Sequence, residues 1–330
     1  MMKLMSAEVE NLTSLCKKIK NTDKTNRYAV FMPHFCIDIL AKFEGNSDAI
    51  INYIASFEDF KNPSDFQNTA NTSAHLETKN TVKEGGKATN SAFAIASLGI
   101  ESAIIAETND IGYTLLKNFK RKFHLKNLDI SHINTDGNLA TTCAIETANK
   151  NIMMSDADSL KNFGTKNLTE DDFELIKHSE IVAISDWGLN EKGSELAKAV
   201  FKFAKSNNVR TFFDPGDPAP KIKKGIDVSE EIKEILNFVD FLSVNEDEFV
   251  RYKLSDFKGK TKIIYHTAKF SSVICEGKET ARANSFVVGV RRLTGAGDTF
   301  NSGFIFGEMK NFEENEKLIL ANAVAAYYIS

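Results

Sequence analysis

Cysteine is scarce and scattered. Cys16, Cys36, Cys143 and Cys275 form no CxxC pair and no Cys/His cluster, which argues against a zinc site and against a secreted disulfide framework. An excess of basic charge is missing as well. Lys and Arg total 41 against 45 Asp and Glu, a net charge of -4, so the basic face that a nucleic-acid partner calls for is absent. No stretch reaches the roughly 18 uninterrupted apolar residues of a membrane span. The opening MMKLMSAEVENLTSLCKK lacks a signal-peptide apolar core. Together these absences predict a cytoplasmic protein with no nucleic-acid or membrane partner.

Two familiar phosphate-binding motifs are absent too. A Walker A loop needs Gly-Lys followed by Ser or Thr, whereas Gly86-Lys87 is followed by Ala88. A dinucleotide fingerprint needs a third glycine three residues after Gly297, where Phe300 stands. Neither a P-loop nor an NAD site is supported.

What is present is globular. Hydrophobic residues make up 42% of the 330 and charged residues 26%, enough for a sizeable buried core. Apolar positions from Ser6 to Asn21 recur at helical spacing and predict a helix ahead of the main fold. Tyr28 to Phe35 reads as a buried strand despite Pro33. Glu44 to Thr78 is polar, an excursion from the core with one helix near Ala49 to Phe57. Beyond Gly86 the rhythm is regular. Helices are expected over Ala88–Leu98, Ile111–Phe123, Lys192–Asn207 and Ser229–Asn237, with two more beginning near Gly295 and Phe312. Strands are expected at Ser102–Ala106, Ile181–Ser185, Arg210–Asp214, Phe241–Val244, Ile263–His266 and Ser272–Cys275. Thr141–Glu146 and Asn151–Met154 read as a hairpin about Ala148-Asn149-Lys150. Short apolar strands alternating with helices predict an α/β fold, a doubly wound, mainly parallel sheet covered on both faces. Ligands of such sheets sit at the carboxyl ends of the strands.

The sharpest chemical signal is Leu293-Thr294-Gly295-Ala296-Gly297-Asp298-Thr299-Phe300. Phe300 and Phe304 fall at i,i+4, as a buried helix face requires, so Gly295 to Gly297 sit at a helix N-terminus. Free N–H groups and the positive dipole end there suit an anion such as phosphate. Asp298 is the odd member, because phosphate repels a carboxylate. General-base chemistry gives it a reason to be there: it accepts a hydroxyl proton while the N–H groups stabilise developing charge. An Asp in a glycine-rich turn also caps helices routinely, and this segment alone leaves both readings open.

Glu84-Gly85-Gly86-Lys87-Ala88-Thr89-Asn90-Ser91-Ala92, combined with the later GAGDTFNSG, resembles the ribokinase/PfkB family of carbohydrate kinases. Asn245-Glu246-Asp247-Glu248 after an apolar strand is similar to that family's NxxE motif. Ser272–Cys275 leading to Gly277 is similar to its nucleotide-loop strand, and Asp38 stands in the place of its substrate-binding aspartate. The order agrees from about Tyr28 onward. The resemblance implies a ribokinase-like three-layer αβα kinase domain over residues 28–330, after a helical extension at 1–27, with a small β lid from segments near 38–84 and 138–156. It implies ATP as phosphoryl donor, Mg²⁺ as cofactor and a sugar or nucleoside as acceptor. Asp298 becomes the catalytic base, and Gly295, Ala296 and Gly297 the anion hole. Asp38, Gly85, Gly86 and Asn90 grip the substrate, with Lys87 beside them. Asn245 and Glu248 organise Mg²⁺, Glu248 through water. Gly277 lets the nucleotide approach the backbone, and Asn322 faces the adenine. Lid sheets of this kind predict a homodimer through the lid.

Arg292 stands where the family carries an aspartate that helps hold a monovalent cation, and Leu293 replaces its threonine. The expectation is activity that needs no K⁺. Pro33 and Cys36 replace a common glycine and asparagine, and relatives continue beyond Ser330 with another nucleotide-side segment, which predicts reduced ATP affinity or an incomplete chain. The competing function is a non-catalytic sugar- or nucleotide-binding regulator on the same fold. Retention of Asp298, Glu248 and Asn90 together tells against it, because binding alone needs no base. Asp214-Pro215-Gly216-Asp217-Pro218 ends a strand and is expected to shape the pocket, or to serve only as a rigid turn.

Overall fold

Apolar residues on alternate sides of short strands dictate a sheet buried on both faces, and that is what forms. The structure, a computed structural model, describes residues 13–19, 28–42, 78–146, 151–291 and 294–330. The helix expected near Ala49 to Phe57, the Ala148-Asn149-Lys150 turn, and Arg292 with Leu293 lie outside the described residues. Of the helix expected from Ser6 to Asn21, residues 13–19 are described and are helical.

The strands in chain order are β1 (Tyr28–Met32), β2 (Cys36–Lys42), β3 (Lys79–Gly85), β4 (Glu101–Ile104), β5 (Ala106–Glu107), β6 (Leu128–Asp129) and β7 (Ile133–Asn134). Then come β8 (Thr141–Glu146), β9 (Asn151–Asp156), β10 (Ile181–Ser185), β11 (Arg210–Asp214), β12 (Phe241–Asn245), β13 (Lys262–His266), β14 (Phe270–Cys275) and β15 (Lys278–Asn284). The helices are α1 (Lys87–Ser97), α2 (Asp110–Lys122), α3 (Glu170–His178), α4 (Gly193–Ser206), α5 (Ala219–Lys223), α6 (Val228–Leu236), α7 (Glu246–Arg251), α8 (Ala296–Met309) and α9 (Glu314–Ile329).

The large sheet runs β15-β14-β13-β12-β11-β10-β1-β4-β6. It is parallel from β6 to β13 and antiparallel over β14 and β15. Strand periodicity sorts its side chains into two cores. Ala29, Phe31, Ile181, Ala183, Phe212 and Ile264 face α1, α2, α8 and α9. Val30, Met32, Val182, Ile184, Phe213 and Ile263 face α3, α4 and α6. The result is three layers, with helices on either side of the sheet. No described helix is long and apolar enough to cross a membrane.

A second sheet, β3-β2-β8-β9, stands over the carboxyl ends of the parallel strands. β1 ends at Met32 rather than Phe35, since Pro33 has no N–H to continue the ladder, and the chain re-emerges in β2 as the first strand of this cover. Asp38 is therefore a residue of the lid strand. β15 has no apolar run and only one buried residue in seven, so it escapes a reading based on hydrophobic patterning. It is held by its neighbour β14.

Candidate active site

Between the lid sheet and the carboxyl ends of the parallel strands lies a cleft of about 360 Å³. Asp38, Gly86, Lys87, Asn90, Asn245, Glu248 and the segment Thr294 to Asp298 line it, although they are scattered through the chain. A larger hollow of about 710 Å³ opens at the opposite edge of the sheet. Most of its cations are already engaged there, Lys205 by Asp240, Arg210 by Glu180 and Glu308, and Lys262 by Glu314. The chemistry gathers in the smaller cleft.

Two helices start at its floor. Gly295 is the N-cap of α8 with φ +88°, a left-handed conformation that glycine adopts without a Cβ penalty. The turn aims the first N–H groups of α8 at the cleft, where no carbonyl lies one turn back to receive them. Gly86, also at positive φ, caps α1, whose first N–H groups from Lys87 and Thr89 go to His34, and Asn90, one turn on, donates from Nδ2 to Asp298 Oδ2 at 2.7 Å. Ser91 and Ser302 hold the Asp298 carbonyl at 3.3 and 2.7 Å. Gly85 leaves room for the lid: a Cβ there would fall 2.3 Å from Asp38 Oδ1. Close approach of that carboxylate is the physical reason for the first glycine of the pair, Gly85.

The charges are crowded. Lys87 Nζ bonds Asp214 Oδ1 at 2.8 Å, and Asn301 Nδ2 bonds the other oxygen at 2.8 Å. Burial alone would lower the Lys87 ammonium, but Asp214, Asp186, Glu248 and Asp298 raise it well above its ordinary value. Burial pushes the Asp298 carboxyl up to about 7, against Lys87 and Asn90, which pull it down. Glu248 is raised by burial, with Lys87 opposing and Asp214 assisting. Burial opposes charge on His34 too, yet its bond to Asp186 holds the imidazolium well above the usual range. Desolvation pushes the half-buried His266, which has no carboxylate bonded to its ring, down to about 4.

Each expected residue now has a position. Asp38, Gly86, Lys87, Asn90, Asn245, Glu248, Gly295, Ala296, Gly297 and Asp298 share the cleft, and Gly85 abuts Asp38. Asn245 and Glu248 also bond each other as a capping box at the start of α7, at 3.0 and 2.9 Å. Two expected residues are not brought there. β14 runs antiparallel to β13, which carries Gly277 to the far edge, where Phe257 and Lys258 are its neighbours. Asn322 is buried, and its amide donates to Ser271 Oγ and to the carbonyls of Ala283 and Asn284, tying α9 to the β14–β15 hairpin. The turn at the cleft is the other one, between β13 and β14, and its three-residue length was the available signal: parallel strands need a far longer connection. His34, Asp186, His266, Thr142 and Ser155 also line the cleft and were not foreseen. Asp186 and His266 each stand at the carboxyl end of a parallel strand, the one place where the fold rule would have flagged them. Asp214 does shape the pocket, and Gly216 donates its N–H to it at 3.2 Å.

Similarity to known proteins follows the same lines. The family model described as pfkB family carbohydrate kinase matches residues 54–330. The ATP-dependent 6-phosphofructokinase of Thermoanaerobacterium thermosaccharolyticum is 28% identical over 263 residues, 74% of this chain and 78% of that protein. The ribokinase of Lactococcus lactis is 28% identical over 255 residues, again 74% and 78%. Among solved structures, the Methanocaldococcus jannaschii nucleoside kinase superposes with a TM-score of 0.68 at 18% identity, covering 93% of each chain. With the fold and family model in agreement over most of its length, the chain belongs to the pfkB family of carbohydrate kinases.

Proposed function

We propose that this protein moves the γ-phosphoryl group of ATP onto a hydroxyl of a sugar or sugar-like acceptor, with Asp298 as general base. One observation carries the reading: Asn90, Asp298 and the start of α8 meet in a single cleft with Asp38. The acceptor hydroxyl gives its proton to Asp298 as its oxygen bonds to phosphorus, and the bond to the ADP oxygen breaks. The amide of Asn90 occupies Oδ2 and leaves Oδ1 to take the proton. A carboxyl held near 7 by burial has a proton affinity matched to work near neutral pH. The N–H groups at Gly295, Ala296 and Gly297 receive the charge that gathers on the phosphoryl oxygens.

On the acceptor side, Asp38, Gly85, Gly86 and Asn90 grip hydroxyls, with Lys87 beside them and the hydroxyls of Thr142 and Ser155 reaching down from the lid. On the donor side, one oxygen of Glu248 is taken by the Asn245 N–H. Its other oxygen is a hard anionic ligand that fits a hydrated Mg²⁺. Bound there, the ion would supply charge neutralisation on the phosphates. The names of the relatives, a 6-phosphofructokinase, a ribokinase and a nucleoside kinase, set the range of acceptors to try.

The reading extends to assembly. Strand register aligns Val82, Ile39, Cys143 and Met154 in one row across the outer face of the lid. Three of them are 48%, 38% and 61% exposed, while Lys83, Asp38, Thr142 and Ser155 form the polar row facing the cleft. A second copy related by a two-fold axis covers such a row with the same row, each hiding the other.

The test is a panel of pentoses, hexoses, sugar acids, sugar phosphates and nucleosides with ATP and Mg²⁺, read by ADP release. Asp298→Asn is expected to cut kcat by about 10²- to 10⁴-fold while acceptor binding persists. Turnover by the variant at the wild-type rate would end the assignment.

A further inference from the structure

We infer that the outer face of α2 and the turn after it form a second anion site, one that takes a small molecule carrying two or more linked phosphates. The sequence supplies the charge. Residues 111–128 contain four lysines and one arginine and no aspartate or glutamate, in a protein whose net charge is -4. Helical periodicity then sorts the side chains. Leu116 and Phe119 face the core, while Tyr113, Lys117, Lys120 and Arg121 fall in one stripe on the other side. A groove of about 560 Å³ follows this stripe and is closed by His124, Leu125 and Lys126. None of its lining residues belongs to the active-site cleft.

The ordinary explanation is helix chemistry: cations in a last turn complement the macrodipole and cap the final carbonyls. It covers little here. The His124 N–H already donates to the Arg121 carbonyl and the Leu125 N–H to the Lys120 carbonyl, both at 3.1 Å, so a Schellman turn closes the helix from the backbone. Lys117 lies before the last turn and Lys126 after it. Nor do these cations have anionic partners. Among the described residues, those of the groove form no ion pair: Arg121 Nη2 donates to Asn118 Oδ1 at 3.2 Å, and Lys117 Nζ sits 5.6 Å from the centroid of the Tyr113 ring. Lys205, Arg210 and Lys262, by contrast, each have a carboxylate.

His124 is an independent sign. It occupies the left-handed position of the turn, φ +56°, where glycine sits without a Cβ clash. An exposed histidine in that place costs stability, and what it gains is a ring that lines the groove. Charge complementarity names the occupant. Lys117 and His124 stand roughly 10 Å apart along the helix axis, at about 1.5 Å per residue, too far for one phosphate to touch both and within reach of a short phosphate chain. The volume suits a small molecule, and the apolar wall of Leu125 and Ile130 leaves room for an organic group on that chain.

The experiment counts bound tripolyphosphate by equilibrium dialysis on the full chain, wild type against the double variant Lys117→Gln/Arg121→Gln. Wild type is expected to take up one equivalent more, and the extra site weakens as salt is raised. His124→Gly is expected to weaken that site by about threefold while its melting temperature does not fall, a combination that a purely structural role for His124 would not give. ATP held there more tightly than tripolyphosphate identifies a nucleotide as the ligand, and the reverse identifies a free polyphosphate; both support the site. Equal uptake by wild type and the double variant overturns it. Tighter binding of poly-L-glutamate or oligothymidylate than of tripolyphosphate, lost in the double variant, overturns the small molecule and makes the groove a macromolecular surface. ADP release in the acceptor panel is expected to be the same for wild type and the double variant, so the site and the kinase reading fail independently.

Discussion

The two ends of the parallel strands treat charge in opposite ways. At the amino ends, carboxylates and cations come in nearly balanced sets. Arg210 reaches Glu180 and Glu308 together, Lys317 takes the second oxygen of Glu308 at 2.5 Å, and Lys262 and Thr280 share Glu314. At the carboxyl ends, Asp186, Asp214, Glu248 and Asp298 crowd about one lysine and the His34 imidazolium, and burial raises Glu248 and Asp298 toward their protonated forms. The first edge is arranged for the folded state. The second is held out of balance, an arrangement that costs stability and makes sense where a ligand or a proton is to be received.

The largest effects expected from this contrast run in opposite directions. Asp298→Asn loses about 10²- to 10⁴-fold in kcat and keeps its fold. Arg210→Met keeps kcat and loses stability by about 3 kcal/mol, because the buried Glu180 is left without its cation and Glu308 keeps only Lys317. Chemical denaturation and steady-state kinetics on both variants check the crossing. An Arg210→Met protein as stable as wild type would show that the amino edge is no more than decorated surface.

Much of this division is legible in the amino-acid sequence. Gly85-Gly86 and Gly295-Ala296-Gly297 stand out because backbone geometry forces the residue type: a carboxylate packs against one glycine and a left-handed turn needs another. Alternating apolar strands and helices give the three layers for a similar reason, since burial on both faces leaves a pattern. Contacts made by single polar residues leave none. His34, Asp186 and His266 become partners of the cleft only once register and strand order are known. Gly277, expected beside the nucleotide from the resemblance, lies away from this cleft because the short turn at residues 267–269 forces β14 to run antiparallel to β13. Asn322 bonds the β14–β15 hairpin, and an amide on the inner face of a helix looks the same in sequence whether it meets a ligand or a neighbouring strand.

A smaller effect sharpens the comparison through pH. The folded-state value of Asp298, about 7, lies above the ordinary aspartate value of 3.8, so the native protein holds this proton more tightly than the unfolded chain. Stability from that proton is complete below about pH 4 and is lost as pH rises through about 7. Asp298→Asn removes the dependence. Its melting temperature is expected to exceed that of wild type by a few degrees at pH 8, and by less at pH 5. An equal difference at both values would mean that the carboxyl is ionised throughout. The free-enzyme kcat/KM of wild type is expected to climb over the same window, since the base works only when deprotonated.

The smallest effect concerns the lid, where the same polarity contrast is repeated across one sheet. Ile39 sits at the centre of the outer apolar row, between Val82 and Cys143, and Asp38, one residue earlier, sits in the polar row below. Ile39→Asp puts a charge into the middle of the proposed two-fold contact, where it would face its own copy, so both desolvation and like-charge repulsion oppose association. Because Ile39 is already 38% exposed, little core burial is lost in the monomer, and its melting temperature should barely move. Light scattering is expected to find a dimer for wild type and a monomer for the variant at the same micromolar concentration. A wild type that is monomeric at that concentration removes the second copy as the occupant of this face, and the apolar row would then need another cover.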